Sequence, residues 1–383
     1  MRFFATSIDE QDFYQIDIAD GGSRKSEVTR PEYEAGLQRS LHPKHYVFPG
    51  FIDLQVNGFR GVDMSDPNLD SDTIEAFCHE MACMGVTGFL PTITTNGQSE
   101  LSGSLKNLTK LTRQSELFRS MSLGIHLEGP YISPDDGPRG AHPKPFCRPP
   151  EISEFRMLQD AADGQIRILT LSPEYDQADD FIRQVVDDVI VSIGHTSATP
   201  DQIRRAVDAG ATMSTHLGNG MHPHIPRHPN YLWEQLAADE LFGGIIADGV
   251  HLPAAVLKTF VRAKTMDKCF VVSDTTSLSG MPIGLYKNSV LGDVEVTEDE
   301  RLVVAGQRIL NAGAYKPLKA AIPIISHAVG IDFSDAIKLA CDNPLAAIHE
   351  TANPSNYVII SKSVENEIEI KATVINKQMI EFR

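Results

Sequence analysis

At 383 residues the chain exceeds one small domain, and a single barrel of about 250 residues with an appendage fits that length. A formal charge of −17 at pH 7, with no Lys/Arg-rich stripe to offset it, argues against nucleic acid and an anionic membrane surface as partners. The five cysteines, Cys78, Cys83, Cys147, Cys269 and Cys341, include no CxxC pair, and neither a signal-like N-terminus nor a run of about 18 apolar residues occurs, so reduced thiols and a cytoplasmic location are expected.

From residue 47 onward, short β-rich runs alternate with helix-like stretches, the signature of parallel βαβ units. The runs are 47–56, 86–93, 120–127, 166–171, 189–193, 211–216, 243–247 and 268–273, with amphipathic stretches such as 73–84, 200–209 and 253–264 between them. Eight such repeats close most simply into a (β/α)8 TIM-type barrel. Residues 288–304 read as a β excursion or lid before a helix over 315–328. The two ends differ from the middle: 357–360 and 368–374 are strand-like without helices. The expected organisation is therefore a barrel over 49–345, with 1–48 and 346–383 pairing into a small β-sandwich-like domain outside it.

Four strand ends carry chemistry. The run through Ile125-His126-Leu127 ends on Glu128 just before Gly129-Pro130, two further runs end on His195 and His216, and 270–273 leads into Asp274. No single helix or hairpin can gather residues so far apart in sequence, but the strand ends of a barrel open on one face. A carboxylate and two imidazoles leave a coordination position for water, the composition of a catalytic metal site and not of a closed structural one. Asp274 is then the natural group to take a proton from that water and return it to a leaving amine. A lone strand-end histidine is more often a hydrogen-bonded structural residue than a ligand, and Asp274 before Thr275-Thr276-Ser277 is also good turn chemistry. The joint placement with Glu128 favours the metal. His126, two residues before Glu128, shares its strand face one layer deeper and is read as packing beneath the site. Gln55 and Asn57 read as polar barrel-mouth residues.

Ordered motifs run from Pro49-Gly50-Phe51-Ile52-Asp53 through His126-Leu127-Glu128-Gly129-Pro130, Gly140-Ala141-His142, Gly194-His195-Thr196, Thr215-His216-Leu217 and Asp248-Gly249-Val250-His251 to Ser273-Asp274. Together they resemble the N-acetylglucosamine-6-phosphate deacetylases of the amidohydrolase superfamily, over about 49–343. The resemblance implies Glu128, His195 and His216 as metal ligands, with Asp274 as general base and then acid. It implies substrate contacts at Ala141, His142, Asn219, Gly220, Arg227, Asp248, His251, Val304, Ala305 and Gly306. One divalent ion per subunit follows, zinc foremost, with iron, cobalt and manganese also compatible with these donors. The substrate implied is an amino sugar phosphate, N-acetylglucosamine 6-phosphate, cleaved to glucosamine 6-phosphate and acetate. A neutral His251 or His142 is expected to donate to the developing oxyanion.

Arg227 is the phosphate fork that this resemblance implies, because guanidinium pairs bidentately with phosphate. In the family such an arginine comes from the neighbouring subunit, so a homodimer is implied as well. Three departures stand out: Gln55-Val56-Asn57 replaces the His-x-His of many amidohydrolases, Gly218-Asn219-Gly220-Met221 opens space near the sugar, and Val304-Ala305-Gly306-Gln307 matches the small-residue loop only loosely. The first departure weighs against the deaminases and cyclic amidases of the superfamily. The aspartate beside the ligands weighs against a non-catalytic sugar-phosphate sensor.

Overall fold

The computed structural model describes residues 1–19, 22–40, 44–289, 292–305, 313–363 and 366–380. Eight strands form its centre: β1 Phe51–Val56, β2 Val86–Thr94, β3 Ile125–Glu128, β4 Ile166–Leu171, β5 Ile190–Ile193, β6 Met213–Ser214, β7 Phe242–Ile246 and β8 Cys269–Val272. Each pairs in parallel with the next. Between β8 and β1 the ring is tied by Asp274 N–H donating to the Gln55 carbonyl at 3.0 Å and Asn57 N–H to the Thr275 carbonyl at 2.8 Å. At the same seam the Asp53 carboxylate accepts the Ser273 N–H at 3.0 Å. The result is the expected (β/α)8 barrel.

Local sequence explains the elements that surround it. Thr199-Pro200-Asp201-Gln202 makes a reciprocal cap, Gln202 N–H donating to Thr199 Oγ1 and Thr199 N–H to Gln202 Oε1, and it starts the helix Pro200–Asp208. Asp70 caps Ser71–Cys83 through the Thr73 N–H. Inside the ring, Leu54, Leu90, Ile168, Met213, Ile246 and Phe270 pack into one cluster with Leu345 and Ile348. The larger core lies between the strands and the outer helices.

A seven-stranded sheet uses both ends of the chain, His45–Phe48 lying between Arg2–Ser7, in parallel, and Tyr357–Lys362, antiparallel. The run 47–56 is thus two strands in two sheets. The break falls at Pro49-Gly50, where Gly50 adopts φ +102° and any Cβ would strike the Thr87 side chain at 2.3 Å. The small sheet is fastened to the barrel where the Thr373 hydroxyl donates to the Ala82 carbonyl at 2.7 Å.

Other runs shift for similar reasons. The expected strand over 120–127 begins as the helix Glu116–Met121, which buries Phe118 and Met121 and is capped by Ser115; β3 starts only after Gly124 turns at φ +119°. The run 211–216 shortens to two residues because His216 leaves extended geometry at φ +29°. The excursion expected over 288–304 is an antiparallel sheet of Gly284–Ser289, Gly292–Val296 and Leu302–Val304 around its own cluster of Leu278, Val294, Val296 and Leu302. The helix expected over 315–328 opens as a tight turn at Leu318–Ala320 and continues as Ala321–Val329, since Pro317 disfavours helical geometry in the residue before it. All five cysteines are free. Among the described residues no helix is long and apolar enough to cross a membrane.

Phe89 on β2 is fully buried between Phe77 and Phe118, at ring separations of 5.6 Å and 6.0 Å. Phe89→Ala removes both contacts and leaves a cavity, so it is expected to lower stability by about 3–5 kcal/mol, read as a shift of the denaturant midpoint.

Candidate metal centre and active site

The C-terminal ends of β3, β5 and β6 bring together Glu128, His195 and His216, all buried. His195 Nε2 lies 3.2 Å from Glu128 Oε1 and 3.0 Å from His216 Nε2. His216 Nε2 lies 2.9 Å from the same oxygen. The His195 Nδ1–H donates to the Pro138 carbonyl at 2.7 Å, which in the neutral ring leaves Nε2 a bare lone pair. If His216 carries its proton on Nε2 it donates to the Glu128 oxygen; without that proton, three acceptor atoms face one another in a buried site, a contact that a proton or a cation relieves. His216 Nδ1 has no hydrogen-bond partner among the described residues. One carboxylate and two imidazole nitrogens, with one ring fixed by a carbonyl behind it, are a donor set suited to a divalent ion.

A fourth residue crowds the same point. His142, buried, stacks edge-on against His195 with ring centroids 4.3 Å apart, and it shares with Glu128 and His195 a set of possible ligand atoms within 4.8 Å of one another. Two trios are thus geometrically available. The set with His216 is the tighter, its atoms lying within 3.2 Å of one another, while His142 Nδ1 meets Thr95 Oγ1 at 2.9 Å.

Burial alone would raise the Glu128 carboxyl, but bonds from His195 and His216 hold it well below the usual range. Burial also opposes protonation of His216, yet the Glu128 carboxylate draws its pKa above the usual imidazole value. His142 is pushed down to about 3, chiefly by burial and then by His195, and is neutral at physiological pH. Asp274 is raised to about 6 by burial and by the Glu128 charge. Its Oδ1 accepts from Asn57 Nδ2 at 2.8 Å. Gln55 does the same for the other carboxylate, its Nε2 donating to Glu128 Oε1 at 2.9 Å.

His195, His216 and Asp274 have φ of +49°, +29° and +52°. Each turns out of its strand in a conformation that L-residues rarely adopt, as is common where backbone strain aims a functional side chain. His126 sits beneath, its Nδ1 at 3.0 Å from the Leu54 carbonyl and its Nε2 at 2.7 Å from Thr170 Oγ1, the packing role expected of it.

These groups open on a cavity of about 300 Å³ whose wall includes Ala141, His142, Asn219, Gly220, His251 and Asp274. Several expected contact residues lie elsewhere. Asp248 does not line it; its carboxylate accepts the His251 Nδ1–H at 2.7 Å and the His251 and Val250 N–H groups, so it orients His251. Arg227 is exposed on the loop after β6 and away from the wall. Val304 ends the last strand of the small antiparallel sheet and Ala305 follows it, its N–H donating to the Asp293 carbonyl at 2.8 Å; neither lines the cavity. Gly306 lies outside the described residues.

The Thr95 hydroxyl lies 3.4 Å from the Glu128 carbonyl and 2.9 Å from His142 Nδ1; where it donates to that carbonyl it accepts from His142 Nδ1–H, and neutral His142 then presents Nε2 as an acceptor. Neutral His251 spends its Nδ1 proton on Asp248, and donates into the cavity only when protonated.

Sequence reasoning passed over Thr95, one residue beyond the end of β2, although the same strand-end rule that finds Glu128 reaches it. It also passed over Asp63 on the cavity wall. The Pro138 carbonyl carries no side-chain signal and could not be read in advance.

Residues 46–299 match the Amidohydrolase family. The chain belongs to that family. It is 33% identical over 275 residues to the N-acetylglucosamine-6-phosphate deacetylase of Bacillus subtilis, covering 71% of this chain and 68% of that protein. It is 31% identical over 338 residues to the N-acetylgalactosamine-6-phosphate deacetylase of Escherichia coli O157:H7, covering 87% and 84%. Among solved structures, an aspartate-to-alanine variant of the N-acetyl-D-glucosamine-6-phosphate deacetylase of Mycobacterium smegmatis in complex with N-acetyl-D-glucosamine-6-phosphate superposes with a TM-score of 0.82 at 25% identity, over 97% of this chain and 95% of that one. Within the amidohydrolases, the chain is a member of this deacetylase group.

Gly220 is part of the site in a second way. It holds φ +56°, and a Cβ there would lie 2.7 Å from His195 Nδ1. Gly220→Ala is therefore expected to push the His195 ring off its Pro138 bond and weaken divalent-metal affinity by about tenfold or more, measured by competition with a chromophoric chelator.

Proposed function

We propose that this protein hydrolyses the acetamide of an N-acetylated amino sugar phosphate, converting N-acetylglucosamine 6-phosphate to glucosamine 6-phosphate and acetate, with one divalent ion per subunit. The observation that carries the proposal is the convergence of Glu128 Oε1, His195 Nε2 and His216 Nε2 within 3.2 Å of one another on a cavity that Asp274 also lines. Zinc is the ion we expect there, and iron, cobalt or manganese suit the same donors. When bound, such an ion supplies Lewis acidity for an amide carbonyl and lowers the pKa of a water.

The remaining work falls to the chain's own residues. Asp274, with Oδ1 held by Asn57, uses Oδ2 to take the proton of the attacking water and to return it to the departing sugar amine. His142 and neutral His251 accept hydrogen bonds from sugar hydroxyls through Nε2. Asn219 and Gly220 border the opening beside them, and Ala141 lies next to His142 on the wall. Among the described residues no Lys or Arg lines this cavity, so of these a cation for the phosphate comes from beyond its wall. Arg227, exposed on its loop, fits that need from a neighbouring subunit, which makes a homodimer part of the reading. Free cysteines and a phosphorylated sugar substrate are both at home in the cytoplasm, where we place the protein. The galacto epimer is the second reading, favoured by the Escherichia coli relative.

Acetate release by the zinc-loaded protein, with the 6-phosphates of N-acetylglucosamine and N-acetylgalactosamine and both free sugars side by side, decides among these. Turnover confined to the phosphorylated gluco sugar is the expected result; silence on all four rejects the proposal. Asp274→Asn is expected to lower kcat by about 10²–10⁴-fold while the protein still holds its metal. The base must be ionised, so activity is present above the Asp274 pKa and is lost as pH falls through it. That value is about 6 without an ion, and a cation beside it shifts it down, so the acid limb of kcat/KM is expected at or below about pH 6.

A further inference from the structure

Glu128 and Asp274 are not the only carboxylates on the cavity wall: Asp63 is the third. It ends the hairpin of Gly58–Phe59 and Val62–Asp63, which follows β1 directly. This hairpin is tied to the segment after β8, with Arg60 N–H donating to the Ser279 carbonyl at 2.9 Å and Gly61 N–H to the Ser277 carbonyl at 2.6 Å. Asp63 is thereby held in fixed relation to Asp274.

Its two oxygens are unequally used. Oδ1 accepts the Ser65 N–H at 2.9 Å, whereas Oδ2 meets the Ser277 hydroxyl at the longer distance of 3.4 Å; the Ser65 hydroxyl also bears on the carboxylate. Among the described residues no lysine or arginine pairs with it. A carboxylate serving only to brace its own turn needs Oδ1 alone; on a half-buried aspartate in a cavity wall, a weakly engaged Oδ2 has lone-pair capacity left for a ligand's donors. Burial raises the Asp63 carboxyl above its usual range, against the bonds from Ser65 and Ser277 that lower it. The hydroxyls of Ser65 and Thr276 line the same cavity, and with Asp63 they make a wall of acceptors and hydroxyls apart from the metal ligands.

We propose that Asp63 is a specificity-determining residue that accepts hydrogen bonds from ring hydroxyls of the hexosamine and, by its charge, turns the phosphate toward the other end of the cavity. The inference rests on the deacetylase reading above. Hydroxyl donors on a carboxylate make short, charge-assisted bonds, and the same charge repels a phosphate.

The test uses the zinc-loaded full chain with N-acetylglucosamine 6-phosphate and its 3-deoxy and 4-deoxy analogues. Asp63→Ala is expected to raise KM for the parent sugar by about 10–100-fold with kcat changed less than about threefold. Against the analogue that lacks the bonded hydroxyl, the substitution is expected to cost little more, so the two losses do not multiply. Asp63→Asn keeps an acceptor for the Ser65 N–H and serves as the variant whose folding is secure, checked by its thermal midpoint and zinc content; a rise in KM of at least about fivefold is expected from it. An unchanged KM in a folded, zinc-replete variant overturns the inference alone, as does a loss that multiplies independently with both deoxygenations. Failure of the unsubstituted protein to release acetate from any of the sugars overturns the deacetylase reading and this inference with it.

Discussion

Two imidazole nitrogens and a carboxylate oxygen held within 3.2 Å of one another in a buried site need a proton or a cation between them, and the rest of the structure is arranged to hold them there. Left to themselves the three side chains would part. They cannot, because each issues from a different strand of one closed ring, and His195 and His216 leave their strands in left-handed turns that cost of order 1–3 kcal/mol each. Backbone bonds from neighbouring segments offset that cost: Ser133 N–H donates to the His195 carbonyl at 3.0 Å, and Leu217 N–H to the Gly244 carbonyl at 2.7 Å. The core of the barrel is thus part of the chemistry, since a looser ring would let the donors separate and lose the cation.

The replacement of a histidine pair by Gln55 and Asn57 takes its meaning from the same geometry. An imidazole at either position would offer another lone pair; an amide offers N–H groups instead. Gln55 spends one on Glu128 and Asn57 spends one on Asp274, so the end of β1 orients both carboxylates without competing for an ion. That arrangement agrees with the proposal of one ion per subunit, with Asp274 as the proposed proton carrier. Asp53, one turn of the pleat below, is raised to about 7 by burial and receives the Ser273 and Gln55 N–H groups, joining the strands that carry the two amides and the aspartate.

Most of the architecture was legible because periodicity is a local property: alternating β-rich and amphipathic stretches announce a barrel whatever its loops do. The strand-end rule also reached Glu128, His195, His216 and Asp274, since a polar residue closing an apolar run is written in the chain itself. What escaped was set by tertiary contact. Pro138 acts through a carbonyl that any residue would offer. Asp248 reads like a wall residue but spends its carboxylate on His251 three residues on, and Thr95, which bears on the His142 tautomer, is brought near only by the fold. Strand ends were misplaced where glycine or a left-handed turn cut an apolar run short, at Gly50, Gly124 and His216.

The charge of the cavity gives the final constraint. Its described wall carries three carboxylates, four imidazoles and no permanent cation, so for a phosphorylated ligand the proposed ion would be the one strong positive charge on that wall. If the phosphate settled on that ion, it would occupy the position the amide needs. A productive pose therefore requires a stronger claim on the phosphate elsewhere, and repulsion from the carboxylate side keeps it away from the reacting end. An arginine standing clear of its own subunit's cavity, as Arg227 does, meets that requirement only across an interface, so in the proposed reading its contact with the phosphate and the dimer stand or fall together.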